Sequence, residues 1–193
     1  NFVGCCISDD EACWEASKYE IVRRYYAATN RMACGACSEH EIAKIQLLFN
    51  QAKITTDFRR TTVAAKNFKK ETGHTSAAIE LEDGTIITAK SSELLGCSAA
   101  LLLNVMKHLA GIDHDLKLIP QSMIEPIQHT KISYLGGRNP RLHTDEVLVA
   151  LSVLSVHDDN CHRALEQLTK LPGCQAHCTV MLSNVDQKIF KKL

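Results

Sequence analysis

The stretch Ser76-Ala-Ala-Ile-Glu-Leu-Glu-Asp-Gly-Thr-Ile-Ile-Thr-Ala-Lys90 decides the fold class of this 193-residue chain. Two apolar and β-branched runs, 76–81 and 85–90, flank a Glu-Asp-Gly turn, and this order is typical of a β-hairpin. The largely apolar run 96–110 follows, and its length predicts a helix that is buried on more than one side. A hairpin followed by a buried helix indicates a layered α/β core.

The residues before the hairpin read differently, because their apolar side chains recur with helical spacing. Ser38 and Glu41 have the spacing of a capping box for one of these helices, and Gly73 suits the left-handed end of the last one. We therefore predict a helical subdomain at residues 1–72 and an α/β core domain at residues 73–193.

Beyond the buried helix, the sequence predicts further strands and helices in alternation. The predicted strands lie at 116–119 and about 175–182, and predicted helices lie at about 145–157, at 160–170 and after Ser183. Strands that alternate with buried helices predict a three-layer α/β domain with a mixed sheet.

The charge balance of the chain excludes two classes of partner. Lysine plus arginine and aspartate plus glutamate each number 22, so the chain has no overall field that would attract nucleic acid or an anionic membrane. No run approaches the roughly 18 apolar residues of a membrane span.

The cysteine count is nine, an odd number, which favours reduced thiols and a cytoplasmic location. Both termini look cut, so we expect a fragment of a longer protein.

The loop Tyr134-Leu-Gly-Gly-Arg-Asn-Pro-Arg-Leu-His-Thr-Asp-Glu-Val147 is the strongest candidate binding site. Its glycines and proline shape a turn that would gather two arginines and a histidine at the positive end of the next helix, which Thr144 can cap. The simpler interpretation is a turn with solvated arginines before a capped helix. The predicted ligand-binding residues are Arg138, Arg141, His143, Thr144 and Asp145.

The sequence gives little support for a metal site. Cys34-Gly-Ala-Cys37 has the spacing of a zinc or redox pair, but no second pair has standard finger spacing, so we predict that it binds no structural metal. The run that begins His40-Glu41 has Lys44 where a zinc protease needs its second histidine. The sequence also lacks a nucleophile elbow, a phosphate loop and a dinucleotide fingerprint, so it identifies neither a cofactor nor a reaction.

Several long strings, together with the 134–147 loop, resemble the domain of unknown function 1846 family of uncharacterised bacterial proteins. The strings lie at 15–26, 78–88, 94–104, 124–128 and 164–168. The resemblance covers essentially the whole chain and implies that these residues are the C-terminal portion of a longer protein. It also implies a cytidine-deaminase-like topology for the core, although the zinc-binding His-x-Glu and Pro-Cys-x-x-Cys motifs of deaminases are absent.

Two functions are compatible with these observations. The first is the core of a cytosolic, enzyme-like protein that binds a small anionic ligand such as a nucleotide, at a site shared with the missing N-terminal part. The alternative is a non-catalytic assembly module in which the arginines form ion pairs between subunits or between domains, and the apolar helices form a homo-oligomer interface. Convergent arginines in a pocket would favour binding, and a flat, carboxylate-paired surface would favour assembly.

Overall fold

The computed structural model describes residues 8–192, and helices make up most of them. The α-helices of this region are α1 (Asp10–Ala33), α2 (Glu39–Ala52), α3 (Arg60–Thr72), α4 (Cys97–Leu109), α5 (Gln121–His129), α6 (Thr144–Leu154), α7 (Asp159–Glu166) and α8 (Asn184–Phe190). The strands are β1 (Ser76–Glu80), β2 (Ile86–Lys90) and β3 (Gln175–Cys178). This mixture of helices and strands confirms the α/β class in its broad sense.

The chain divides into two compact units, residues 1–63 and residues 64–193. In the first unit, the Asp9 carboxylate accepts a hydrogen bond from the N–H of Ala12 and begins α1, and Ser38 caps α2 in the same way. The rings of Tyr25 and Phe49 meet edge to face at 5.3 Å between α1 and α2. The subdomain boundary at residue 72 stays a prediction.

The predicted hairpin is confirmed. β1 is the central strand of a three-stranded sheet with the order β2-β1-β3, and Ala77 lies opposite both Ala89 and Cys178. Gly84, with a φ of 81°, closes the turn by donating to the carbonyl of Leu81 at 2.9 Å. Both strand pairs are antiparallel, so the prediction of a mixed sheet is wrong for the residues that the structure describes. The three-layer arrangement and the deaminase-like topology stay predictions.

The predicted strand at 116–119 is wrong, because side chains rather than a neighbouring strand bond to two of its carbonyl oxygens. The Cys161 thiol donates to the carbonyl of Leu118 at 3.2 Å. Lys107 donates to the carbonyl oxygens of His114 at 2.5 Å and Leu116 at 3.3 Å. Leu118 and Ile119 are buried in the core. The segment therefore adds two buried side chains to the core without joining the sheet.

Helix α4 is the centre of the second unit, as its apolar composition predicts. It packs against β1 and β2 and also against α6 and α7. Its fully or almost fully buried side chains include Leu101, Leu102, Val105 and Met106. Burial of each such side chain contributes about 1.5–3 kcal/mol relative to exposure. Between residues 8 and 192, no helix is both long enough and apolar enough to cross a membrane.

Backbone contacts place the beginnings of α4 and α6 side by side. Leu142 donates its N–H to the carbonyl of Leu94 at 2.9 Å, and its own carbonyl accepts the N–H of Gly96 at 3.1 Å. These two bonds form a short parallel bridge between Leu95 and Leu142. The 134–147 loop is thereby fixed next to the first turn of α4.

Candidate anion-binding loop

Two glycines determine the path of the loop, each for a different reason. Gly136 has a φ of 67°, which side-chain-bearing residues rarely adopt. Gly137 donates its N–H to the carbonyl of Lys131 at 2.9 Å, and a Cβ at this position would also lie 2.9 Å from that oxygen. The backbone therefore turns where a side chain would clash, as the sequence predicts.

The two arginines of the loop are exposed and lack carboxylate partners among residues 8–192. Arg141 donates through Nε to the carbonyl of Ser92 at 2.6 Å, which fixes the base of the guanidinium group. The backbone N–H of Arg141 donates to Oδ1 of Asn139 at 3.2 Å. Arg138 forms no hydrogen bond or ion pair with any residue that the structure describes. Residues 135–142 contain these two cations and no acidic residue, so the loop is locally positive.

The start of α6 differs from the prediction. Thr144 is the first helical residue, and His143 takes the N-cap position. The N–H of His143 donates to the Glu146 carboxylate at 2.7 Å. The N–H and hydroxyl of Thr144 both donate to Asp186, at 2.9 and 2.7 Å. Protein carboxylates therefore already occupy the helix terminus at which we expected an external anion.

Asp186 is the acceptor at the centre of a buried polar group, which we call the Asp186 cluster: Asp186, Ser183, His143 and Thr144. The Ser183 hydroxyl and the His143 Nδ1 lie 2.7 and 3.0 Å from Asp186 Oδ2. Burial alone would raise the pKa of Asp186, but the hydrogen bonds from Thr144, Ser183 and His143 outweigh it and lower the pKa below its ordinary value. The cluster therefore holds an ionised carboxylate that joins α8 to α6.

A second pair of charges lies beneath the loop. Lys131 donates to the Glu146 carboxylate and to the carbonyl of Arg141, both at 2.8 Å. Asp145, the remaining predicted site residue, is the second residue of α6, where its negative charge suits the helix dipole. Its buried Oδ1 has no hydrogen-bond partner within the described part of the chain.

Sequence reasoning missed four of the residues that shape this site: Ser92, Lys131, Glu146 and Asp186. Ser183 and Asp186 have capping-box spacing, and Ser183 does cap α8 by accepting the N–H of Asp186. The Asp186 carboxylate, however, also accepts a hydrogen bond from the N–H of Thr144 in α6, 42 residues earlier in the chain. Local spacing identifies a cap, but it cannot show which distant N–H group the carboxylate accepts.

The Cys34 and Cys37 pair lies in the turn between α1 and α2. Cys34 is exposed, and the Cys37 thiol donates to the Glu41 carboxylate at 3.1 Å. Partial burial and this hydrogen bond raise the pKa of Cys37. No group of three or more metal-ligating side chains occurs in the region that the structure covers. That the pair binds no structural metal stays a prediction.

Comparison with known families confirms the resemblance seen in the sequence. Residues 57–193 match the domain described as "Domain of unknown function DUF1846, C-terminal", and residues 1–53 match its N-terminal counterpart. The chain belongs to the DUF1846 family. Its match to that family therefore extends beyond the C-terminal domain.

Relatives of this DUF1846 chain are named UPF0371 proteins. One from Corynebacterium urealyticum is 49% identical over 193 residues, and others from Corynebacterium diphtheriae and Streptococcus thermophilus are 46% and 45% identical. Each match covers the whole chain but 39% of the relative's own length. The activity and partners of a full-length protein are therefore matters for proposal.

Proposed function

We propose that this DUF1846 chain is the core of an enzyme-like protein that binds a small anionic ligand, such as a nucleotide, through Arg138 and Arg141. The proposal rests on the exposure of the two guanidinium groups and on their lack of carboxylate partners among the described residues. Both are exposed on a loop without acidic residues, and neither has a carboxylate partner within residues 8–192. Two exposed cations on such a loop favour a negative partner from outside the described residues, and a small anion is the partner that we propose.

The details of the loop support recognition by side chains rather than by helix amides. The first turn of α6 already donates to Glu146 and Asp186. The bond from Arg141 Nε to Ser92 leaves the terminal guanidinium nitrogens to form a fork, which matches phosphate or carboxylate oxygens. Tyr134 is exposed just before the loop, and its ring offers a face on which a nucleobase can stack. The deaminase-like topology contributes nothing to this proposal.

We expect inorganic phosphate or ATP to raise the melting temperature of the wild-type chain and to have little effect on Arg141→Ala. A ligand at 100 times its Kd stabilises the folded state by about 2.7 kcal/mol, and the variant should lose most of this gain. Without ligand, the substitution removes one exposed hydrogen bond and should cost only about 1 kcal/mol. Thermal shift with and without each anion measures both quantities.

Arg163→Ala is the matched control for this experiment. Arg163 is also exposed, and it also donates to a backbone carbonyl, that of Ala110 at 2.6 Å. The Arg163→Ala variant should lose as little stability as Arg141→Ala does, and its melting temperature should still rise fully with phosphate and ATP. Equal responses of wild type, Arg141→Ala and Arg138→Ala would overturn the proposal.

A different surface favours the assembly function as a second candidate. Val149, Val153 and Val156 follow one another at helical spacing along α6 and the turn after it, and their exposed fractions are 66%, 60% and 72%. Three exposed β-branched residues in one stripe are typical of a surface that another chain covers. We infer that a second copy of this chain is the partner, through isologous packing of two α6 helices.

If this stripe is an interface, Val153→Asp should weaken self-association by about tenfold or more, because the new carboxylate would be buried without a partner. Sedimentation velocity over a range of concentrations measures the effect. Val180→Asp is the control, because Val180 is also exposed but lies outside α6. A wild-type chain that stays monomeric throughout, or identical behaviour of the two variants, would exclude the stripe as a homo-oligomer interface.

A further inference from the structure

His143 and Asp186 form a hydrogen-bonded pair of imidazole and carboxylate next to the candidate loop, which we call the dyad. Nδ1 of His143 lies 3.0 Å from Oδ2 of Asp186, whose side chain is 4% exposed. Asp186 also accepts the N–H and hydroxyl of Thr144 and the hydroxyl of Ser183, and several donors directed at one carboxylate favour its ionised form. An ionised carboxylate only accepts hydrogen bonds, so Nδ1 is the donor in the dyad. The neutral ring therefore carries its proton on Nδ1 and its lone pair on Nε2.

The opposite nitrogen of the ring, Nε2, is open to a ligand. The His143 side chain is 26% exposed, and Nε2 has no hydrogen-bond partner within residues 8–192. The N–H of Glu146 faces the ring from the helix side, but the Asp186 carboxylate is the group at hydrogen-bond distance. An imidazole that a carboxylate holds through Nδ1 and that is open at Nε2 is suited to general-base catalysis.

The ring of His143 lies on the same side of the backbone as Arg141. Leu142, between them, forms the parallel bridge to Leu95 and is fully buried. Successive side chains of an extended segment point to opposite faces, so Arg141 and His143 share the face opposite to Leu142. Their exposure agrees with this, because Arg141 is exposed and His143 is partly exposed. An anion held by Arg141 is therefore on the side of the chain to which His143 presents its ring.

The hydroxyl groups of the Asp186 cluster do not supply a nucleophile for this base. The Thr144 hydroxyl donates to Oδ1 of Asp186, and the Ser183 hydroxyl donates to Oδ2. Their protons point to the carboxylate and not to Nε2 of His143, so the base acts on water or on the ligand. Loss of a proton makes water a nucleophile for a phosphorus atom, whereas loss of a proton from a phosphate group breaks no bond.

We propose that His143 is the general base of a hydrolase that removes the terminal phosphate group of a nucleotide held by Arg138 and Arg141. This inference rests on the anion site proposed above. A water molecule attacks the phosphorus atom while Nε2 of His143 takes one of its protons. The bond from phosphorus to the leaving oxygen breaks, its electron pair stays with that oxygen, and the leaving group takes a proton from solvent. The imidazolium then returns its proton to solvent, so water is the only co-reactant.

The other charged groups have separate roles in this reaction. The guanidinium groups of Arg138 and Arg141 compensate the charge of the phosphoryl oxygens. Asp186 is a positioning residue, because it acts on the substrate only through His143. It fixes the tautomer of the ring, and its negative charge stabilises the imidazolium that forms.

The proposal is tested by measuring phosphate release from ATP and from p-nitrophenyl phosphate with the full 193-residue chain. We expect His143→Gln to lower kcat by about 100-fold or more, because a general base contributes about 10²–10⁴-fold to the rate. KM should stay nearly unchanged, since the arginines bind the phosphate group. His162→Gln is the matched control and should keep the wild-type kcat, because His162 also lies near a carboxylate, 3.6 Å from Glu166, but belongs to α7.

Asp186→Asn separates positioning from structural support. The new amide would donate to Nδ1 of His143 and move the proton of the neutral ring to Nε2, so kcat should again fall by about 100-fold or more. Long-range ¹H–¹⁵N spectra report the tautomer directly and should show the proton on Nδ1 in the wild type. A wild-type ring that carries its proton on Nε2 would overturn the proposal even if Asp186→Asn does not fold.

Failure of the base and failure of the anion site give different results. If phosphate stabilises the chain through Arg141, but the wild type releases no phosphate or His143→Gln keeps its kcat, the base is wrong and the anion site stands. If phosphate release depends on His143 but is indifferent to Arg138→Ala and Arg141→Ala, the base stands and the proposed anion site is wrong.

Discussion

Asp186→Ala should destabilise the chain by roughly 3 kcal/mol or more, because each buried polar group left without its acceptor costs about 1–3 kcal/mol. The Thr144 N–H and hydroxyl, the Ser183 hydroxyl and His143 all lose their shared acceptor. For a domain of this size, the melting temperature should fall by about 6–12 °C. Urea denaturation and thermal unfolding followed by circular dichroism measure the loss.

Asp158→Ala is the matched control for Asp186→Ala. The Asp158 carboxylate also begins a helix, by accepting the N–H groups of Asn160 and Cys161, but among residues 8–192 its hydrogen bonds stay within its own helix α7. An ordinary N-cap residue contributes typically about 1 kcal/mol. A loss at Asp186 no larger than that at Asp158 would contradict the view that the Asp186 cluster joins α8 to α6.

The stability that the Asp186 carboxylate contributes should depend on pH. The pKa of Asp186 is lower in the folded state than its ordinary value of 3.8, so its stabilising effect is complete above that value and disappears as the pH falls through the lower folded value. The stability difference between wild type and Asp186→Asn should therefore be constant near neutral pH and shrink in strong acid. A difference that grows with acidification would contradict the assigned charge state.

Prediction from the sequence succeeded where the signal was local. The hairpin at 76–90 with its turn at Gly84, the buried helix α4 and the helix end at Gly73 each depend on a few neighbouring residues. It failed at 116–119, because the carbonyl of Leu116 bonds to the ammonium group of Lys107 and that of Leu118 to the Cys161 thiol. No pattern in the segment itself indicates these partners. Short apolar runs do not specify whether their backbone pairs with a strand or with a side chain.

The candidate site shows the same division. The glycines and arginines of the loop were identified from the sequence, and Gly137 is required for a reason that the sequence predicts. The identity of the helix cap was wrong, because Thr144 donates to Asp186 rather than accepting a helix N–H. The pairing of β3 with β1 was not predicted either, since the two strands are distant in the chain. Long-range register is the information that a single sequence lacks.

Leu142→Ala should cost about 2–5 kcal/mol, the usual range for truncation of a buried leucine. Leu142 is fully buried in the core, and its backbone forms both bonds of the bridge to Leu94 and Gly96. Because it lies between Arg141 and His143, the cavity also loosens the support of the loop and of the Asp186 cluster. Urea denaturation gives the loss of stability, and phosphate titration of the folded variant gives its effect on the proposed site.

Leu135→Ala is the control, because Leu135 lies at the start of the same loop with 77% of its surface exposed. Removal of an exposed side chain changes stability by no more than about 0.5 kcal/mol in most cases. If Leu135→Ala were the more damaging substitution, another chain would have to cover this end of the loop, and the assembly function would gain support. If both substitutions were neutral, the buried side chain of Leu142 would not be what supports the loop.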